Sequence, residues 1–171
     1  KDGKIYAAKG QKVVNTDEDK KGNVVSGTFT IENIAANIAF NVQDGSHQYF
    51  WQFRTDSKTL KKHTQIGNNI AVYGAEVPIV LNDGENTFLI ATVGDKIYTY
   101  LNDELIDVCD VNKELPTSGG FGIRNGGSES SYISNLNVGS NLKYTVSTTV
   151  TAEEKVQVNK NFLNKTIEYA K

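Results

Sequence analysis

Two stretches of the chain gather the side chains whose types and spacing could do chemistry. The first is Tyr49-Phe50-Trp51-Gln52-Phe53-Arg54, with His63 a little further on. The second is Arg124-Asn125-Gly126-Gly127-Ser128-Glu129. An aromatic ring can lie against the C–H face of a pyranose or furanose, and planar polar side chains can pair with vicinal hydroxyls two at a time. The chemistry that fits is non-covalent recognition of a hydroxyl-rich ligand. Arg54 and Arg124 are the only arginines among 18 basic residues, so a chain that otherwise uses lysine carries two guanidinium forks suited to planar contacts. The candidate contact residues are Phe50, Gln52, Arg54, His63, Arg124, Asn125 and Glu129.

Bond-breaking chemistry finds no matching pattern. Glycoside hydrolysis needs two carboxylates flanking the scissile bond, which a Glu-x-Asp-x-x-Glu run on one strand would place on one face. No such run occurs, and the nearest cluster, Asp103-Glu104 with Asp107, reads as a solvated hairpin turn and its outgoing strand. His47 and His63 are the only histidines and lack the paired spacing of zinc ligands. There is no Gly-x-Ser-x-Gly elbow, and Gly119-Gly120-Phe121-Gly122 lacks the lysine and following helix of a phosphate-binding loop. The single cysteine, Cys109, excludes an internal disulfide; its strand-like run Ile106-Asp107-Val108-Cys109 makes it a small buried hydrophobe rather than a nucleophile.

The elements that must position the candidates are strands. In the first stretch, alternation puts Tyr49, Trp51 and Phe53 on one face and Phe50, Gln52 and Arg54 on the other. The aromatic trio predicts core, which leaves the second face for ligand. Trp51 is the only indole, hence the natural fluorescent reporter. Residues 24–32 alternate as a half-buried strand, Ile38, Phe40 and Val42 mark the next, and Asp44-Gly45-Ser46 turns the chain into the 49–54 run. Further strands are expected at 60–64 and 69–73. From 86 onward the alternating run ends in Gly94-Asp95, Lys96-Ile97-Tyr98-Thr99-Tyr100-Leu101 follows, and Asn102-Asp103 turns it into 104–108, the sequence form of a β-meander. Residues 119–124 and 132–138 add two short strands around a Gly-rich loop. Ile5-Tyr6-Ala7-Ala8 and Lys12-Val13-Val14 read as short edge strands, the run Asp17-Glu18-Asp19-Lys20-Lys21 as a solvated loop, and Pro78 and Pro116 as strand ends or blunted edges.

At 171 residues the chain suits one β domain and a short appendage. No apolar run is long enough to cross a bilayer, and no hydrophobic leader is present. Methionine is absent even at position 1, which predicts a piece of a longer protein. A net charge of −2 with pI ≈ 5.7 gives no electrostatic argument for nucleic acid or an anionic membrane. A secreted protein without disulfides is compatible with a bacterial surface, as is the wealth of Asn and Lys. After Val138 the composition changes: 140–157 reads as a Ser/Thr/Asn-rich linker, and in 158–171 Leu163, Ile167 and Ala170 stand at helical spacing.

The strand ending in V-G-D, the I-Y-x-Y-L-N-D hairpin, S-G-G-F-G-I-R and S-x-I-S-N-L-N-V together resemble the second half of a concanavalin A-like (laminin G-like) β-sandwich. The nearest subset is the sugar-binding modules of bacterial glycoside hydrolases, among them the levan-binding family and the accessory domains of rhamnosidases. Phe40, Asp44, Gly45, Tyr49 or Phe50, Trp51 and Gln52 fit the form F-x-x-x-D-G-x-x-x-Y-x-W-Q of those modules. The resemblance spans roughly residues 24 to 139 and implies an all-β, antiparallel two-sheet jelly-roll sandwich over 1–139. It places Arg124 and Glu129, at the end of the G-F-G-I-R strand and in the loop after it, near a ligand's edge. It also allows a structural calcium ion, for which Asp44, Asp83 and Asp110 are loop acids without the spacing of a dedicated site. The form N-K-x-x-L-x-x-x-I-x-x-A-K in 158–171 is similar to the first helix of FIVAR-type repeats, so a short C-terminal helix is expected there. The function implied is a non-catalytic carbohydrate-binding module linked to neighbouring domains of an extracellular or cell-surface bacterial glycosidase or adhesin. A laminin G-like spacer without sugar binding is the alternative.

Overall fold

A computed structural model describes residues 3–16 and 21–139. The expected linker, the C-terminal helix with its FIVAR-like form, and most of the acidic run at 17–20 lie outside the described residues. Every regular element among the described residues is a β-strand. In chain order these are β1 (Lys4–Tyr6), β2 (Lys12–Asn15), β3 (Val24–Asn33), β4 (Ala35–Asp44), β5 (His47–Arg54), β6 (Thr59–Ile66) and β7 (Asn69–Val72). They continue with β8 (Val77–Pro78), β9 (Glu85–Val93), β10 (Lys96–Leu101), β11 (Glu104–Asp110), β12 (Gly120–Arg124) and β13 (Ser130–Gly139).

The strands form two antiparallel sheets. One runs β1-β13-β3-β9-β10-β11; the other runs β2-β12-β4-β5-β6-β7, with β8 pairing on β6. The expected meander is β9-β10-β11. Its second turn has positive φ at Asn102 (49°) and Asp103 (68°), the handedness that matches the right-handed twist of the flanking strands. Asn102 adds a local lock, since its Oδ1 accepts the Thr87 N–H at 2.9 Å. The two N-terminal strands are edge strands, one in each sheet, as expected. Pro78 closes the two-residue β8, where its missing N–H leaves no ladder bond broken.

The core lies between the sheets and is built on β5. Tyr49, Trp51 and Phe53 are fully buried, as their alternation predicts. Phe40 stacks on Tyr49 (5.1 Å between centroids) and meets Trp51 edge-on at 4.7 Å. Phe29 and Phe88 from the opposite sheet complete the aromatic layer around Phe53. The Trp51 indole N–H donates to Thr99 Oγ1 of β10 at 2.8 Å, a hydrogen bond across the sandwich. Cys109 packs half-buried against this core, and burial pushes its thiol up to about 12, as befits an inert hydrophobe.

Asp107 departs from the expected solvated turn. Lys62 sits opposite Trp51 in the β5–β6 register and so faces the interior. Its ammonium pairs with the Asp107 carboxylate at 2.7 Å, with only 5% and 13% of the two side chains exposed. Sequence patterning misses such a pair because the partners come from strands in different sheets.

β2 also does more than extend an edge. A Cβ built on Gly120 would stand 1.8 Å from the Asn15 carbonyl oxygen, and one on Gly122 would stand 2.2 Å from that of Val13. The β2 backbone therefore occupies the room that side chains on β12 would need. The G-G-F-G run is a docking groove for backbone, not a ligand loop.

Two outcomes follow. Lys62→Ala leaves Asp107 buried and unpaired, so urea unfolding should show a loss of about 3–5 kcal/mol, while Lys62→Met with Asp107→Leu should stay near wild type. A loss in the single variant no larger than a surface substitution would show that the pair is hydrated. Gly120→Ala should dislodge β2, seen as faster amide exchange at 12–15 while the Trp51 core stays protected; unchanged exchange would refute the close approach.

Candidate ligand-binding face

The face of the seven-stranded sheet turned away from the core carries most of the predicted contact residues. Strand register sets them in rows. Lys12, Arg124, Asn37, Gln52 and Lys61 are successive cross-strand partners from β2 to β6. The adjacent row runs Val14, Gly122, Ala39, Phe50, His63 and Val72, from β2 to β7. Partners in register point to the same side of a sheet, so each row shares the outer face. Arg54 follows Gln52 on β5 at the end of this face.

Glu129 organises that end. Its Oε1 accepts from Gln52 Nε2 at 2.6 Å; its Oε2 accepts from Asn37 Nδ2 and from the Gly126 N–H, each at 2.7 Å. The Arg54 guanidinium approaches to 3.9 Å. Arg54 is otherwise fully engaged: Nε and Nη2 form a fork on the two Asp56 oxygens, and Nη1 donates to Gln52 Oε1 at 2.9 Å. These bonds raise Arg54 and hold Asp56 down to about 2. A Cβ on Gly126 would stand 2.9 Å from Glu129 Oε2, so a side chain there would push the carboxylate out of its present position.

Phe50 is placed differently from expectation. It is on the outer face but only 2% exposed. The His63 imidazole of β6 stacks on it, with centroids 4.5 Å apart and planes 6° from parallel. The Arg124 guanidinium, from the other side of β5, lies 4.7 Å from the ring centroid. A sugar ring therefore cannot use Phe50 as a stacking plane; the ring instead orients Arg124 and His63. Burial lowers His63 to about 4, helped by the Lys61 and Arg124 charges, so the imidazole is neutral at pH 7. Its Nδ1 is buried without a hydrogen-bond partner.

Asn125 is corrected outright. It is 3% exposed, donates to the Ala7 carbonyl at 2.8 Å and accepts from Ser131 Oγ at 3.1 Å. Its role is to pin the base of the 125–129 loop to the N-terminal segment. Trp51 lies on the opposite side of β5, which removes it as a direct reporter of this face. Three residues escaped the sequence reading: Asn37, Lys61 and Lys12. Asn37 had a signal, its alternation with the core residues Ile38 and Phe40, but its contact with Glu129 spans 92 positions. Lys12 reaches across the sheet to the Gly45 carbonyl and to Gln65 Oε1, closing the far end of the face. Among the described residues no three metal-ligating side chains come together. Of the acids considered for calcium, Asp44 is engaged by Ser46 and His47, and Asp110 by Lys96.

No protein-family model matches the chain, and no curated protein matches it in sequence. Solved structures do match in fold. The carbohydrate-binding module CBM66 of Bacillus subtilis aligns with a TM-score of 0.60 at 14% identity, over 78% of this chain and 93% of that one. A protein provisionally assigned as a glycosyl hydrolase, from Parabacteroides distasonis ATCC 8503, gives 0.59 at 17% identity, over 82% and 88%. The galectin LEC-6 of Caenorhabditis elegans gives 0.55 at 9% identity, over 79% and 96%. The described chain is an all-β jelly-roll sandwich of the kind these solved structures share.

Proposed function

We propose that the chain is a non-catalytic carbohydrate-binding module whose ligand settles on the outer face of the seven-stranded sheet. The observation that carries this reading is the fixed polar set around Glu129, with Arg124 held beside it on the same face. Asn37, Gln52 and Arg54 are locked by hydrogen bonds before any ligand arrives, so little side-chain entropy is lost on binding. Arg124 supplies a fork-shaped donor that can take two hydroxyl oxygens at once, on a face that the Glu129 network holds rigid. The fold likeness to a carbohydrate-binding module and to galectins supports the same assignment.

Hydrolysis is disfavoured by the same geometry. A glycosidase needs one carboxyl free to give a proton and a second free to attack or to activate water. Here both Glu129 oxygens already accept from amides, and Asp56 is held by Arg54. The wider role is tethering: the module would raise the local concentration of a linked extracellular bacterial glycosidase or adhesin on its glycan, with weak single-site affinity offset by multivalency. That part rests on the sequence resemblance over 24–139.

A glycan screen followed by calorimetric titration tests the binding. Arg124→Ala should weaken sugar binding beyond detection. The lost contact with Phe50 is worth about 0.5–2 kcal/mol, so Tm should fall by only a few degrees. Wild-type affinity in that variant would sink the proposed face. A wild-type chain that binds no glycan would favour the spacer alternative.

Burial keeps His63 neutral in the folded chain, which gives a pH signature. The folded chain depresses His63 to about 4 from an ordinary 6.5, so the unfolded chain holds more protons between those values. Stability from this residue is therefore complete above about pH 6.5 and is lost as pH falls toward 4. Asp44 and Asp56, both near 2, begin to titrate only lower down. Tm should decline from pH 7 to 4.5 in the wild type and decline less in His63→Phe. Parallel curves would show that His63 is solvated.

A further inference from the structure

The two arginines of the face are in opposite states. Arg54 has acceptors on Nε, Nη1 and Nη2. Arg124 is half-buried and oriented by Phe50, yet among the described residues no oxygen accepts a hydrogen bond from its guanidinium. The carboxylate on this face is committed elsewhere: Glu129 serves Asn37, Gln52 and Gly126, and its nearest guanidinium is that of Arg54.

The surroundings of Arg124 are positive. Lys12 is its cross-strand partner on β2. The Lys12 ammonium is lowered by burial and then by the Arg124 charge, and His63 is lowered by burial and then by Lys61 and Arg124. Positive charge is costly at this spot: Asp44 offsets it in part at Lys12 and Glu129 in part at His63, but neither carboxylate bonds the Arg124 guanidinium.

We propose that the sugar recognised here carries an anionic oxygen group, the carboxylate of a uronic acid or a sulfate ester, and that this group seats on the Arg124 guanidinium. The proposal rests on the carbohydrate-binding reading above. A guanidinium has donors and no acceptor, so a hydroxyl satisfies it only as a neutral acceptor. An oxyanion makes charge-assisted bonds roughly twice as strong and matches the fork with two oxygens. It also relieves the repulsion between Lys12 and Arg124. The preference over an uncharged analogue should be about tenfold or more.

Calorimetric titration of the full chain should compare three probes: oligogalacturonate, a sulfated galactose oligomer and the matching neutral galactose oligomer. The expected result is binding of at least one anionic probe about tenfold or more tighter than the neutral one. Which of the two it is separates carboxylate from sulfate. The advantage should vanish in Arg124→Gln, whose fold is checked by melting, and persist in Lys96→Gln, which removes a charge on the other sheet. Neutral and anionic probes bound equally, or an advantage that survives Arg124→Gln, overturns the proposal and leaves the carbohydrate reading standing. If a glycan array bearing uronate, sulfate and neutral sugars also gives no binding, both fall together.

Discussion

A strand buried on both sides can serve two purposes because its side chains alternate, and β5 is that strand here. Tyr49, Trp51 and Phe53 form the floor of the core, while Gln48, Phe50, Gln52 and Arg54 form the spine of the outer face. A slip of one residue would exchange the two sets and destroy both. The register is held by β4 on one side and β6 on the other, and by the Trp51–Thr99 bond to the opposite sheet. The geometry of the polar face is thus inherited from core packing. Its precision comes from a frame that cannot shift without unfolding.

The outer face resembles a second, smaller core with polar members. Asn37 and Gln52 are nearly inaccessible, and Phe50 is as covered as many residues between the sheets. This burial is affordable because Glu129 accepts from three donors at once and Arg54 bridges to Asp56. Buried polar networks that are fully bonded rigidify their members, and partly bonded ones are costly. Around Glu129 the network is complete. Around Arg124 and His63 Nδ1 it is open. The contrast lies within one face, so it is not explained by general exposure.

The parts of the fold legible in the sequence are those set by short range. The meander was visible because Gly94-Asp95 and Asn102-Asp103 dictate their own turns, and the Asn102–Asp103 backbone adopts the positive φ values such a pair tolerates. The division of β5 was visible because period two needs no knowledge of neighbours. The position of His63 opposite Phe50 was not legible, because it depends on how β5 and β6 pair. What sequence could not supply were contacts between distant elements. Asp107 looked like a turn acid, and only the approach of β6 and β11 made it the partner of a buried lysine. Asn125 looked like a ligand amide, and only the N-terminal segment, 118 positions away, absorbed it. Phe50 looked like a platform until His63 and Arg124 covered it.

That last reversal changes what kind of recognition the proposed binding face could perform. An exposed aromatic plane favours the apolar side of a sugar ring and tolerates many sugars, because every pyranose has such a side. A covered ring that orients a guanidinium instead turns the contact into a directional, charged one. Directional donors reject ligands that lack the matching acceptor, since the unpaired group is then left desolvated. The closed ends of the face, Lys12 across to Gln65 at one side and the Gly126–Glu129 turn at the other, limit the room further. If the face binds sugar as proposed, its selectivity would come from which hydrogen-bonding groups remain unanswered after folding, and Arg124 is foremost among them.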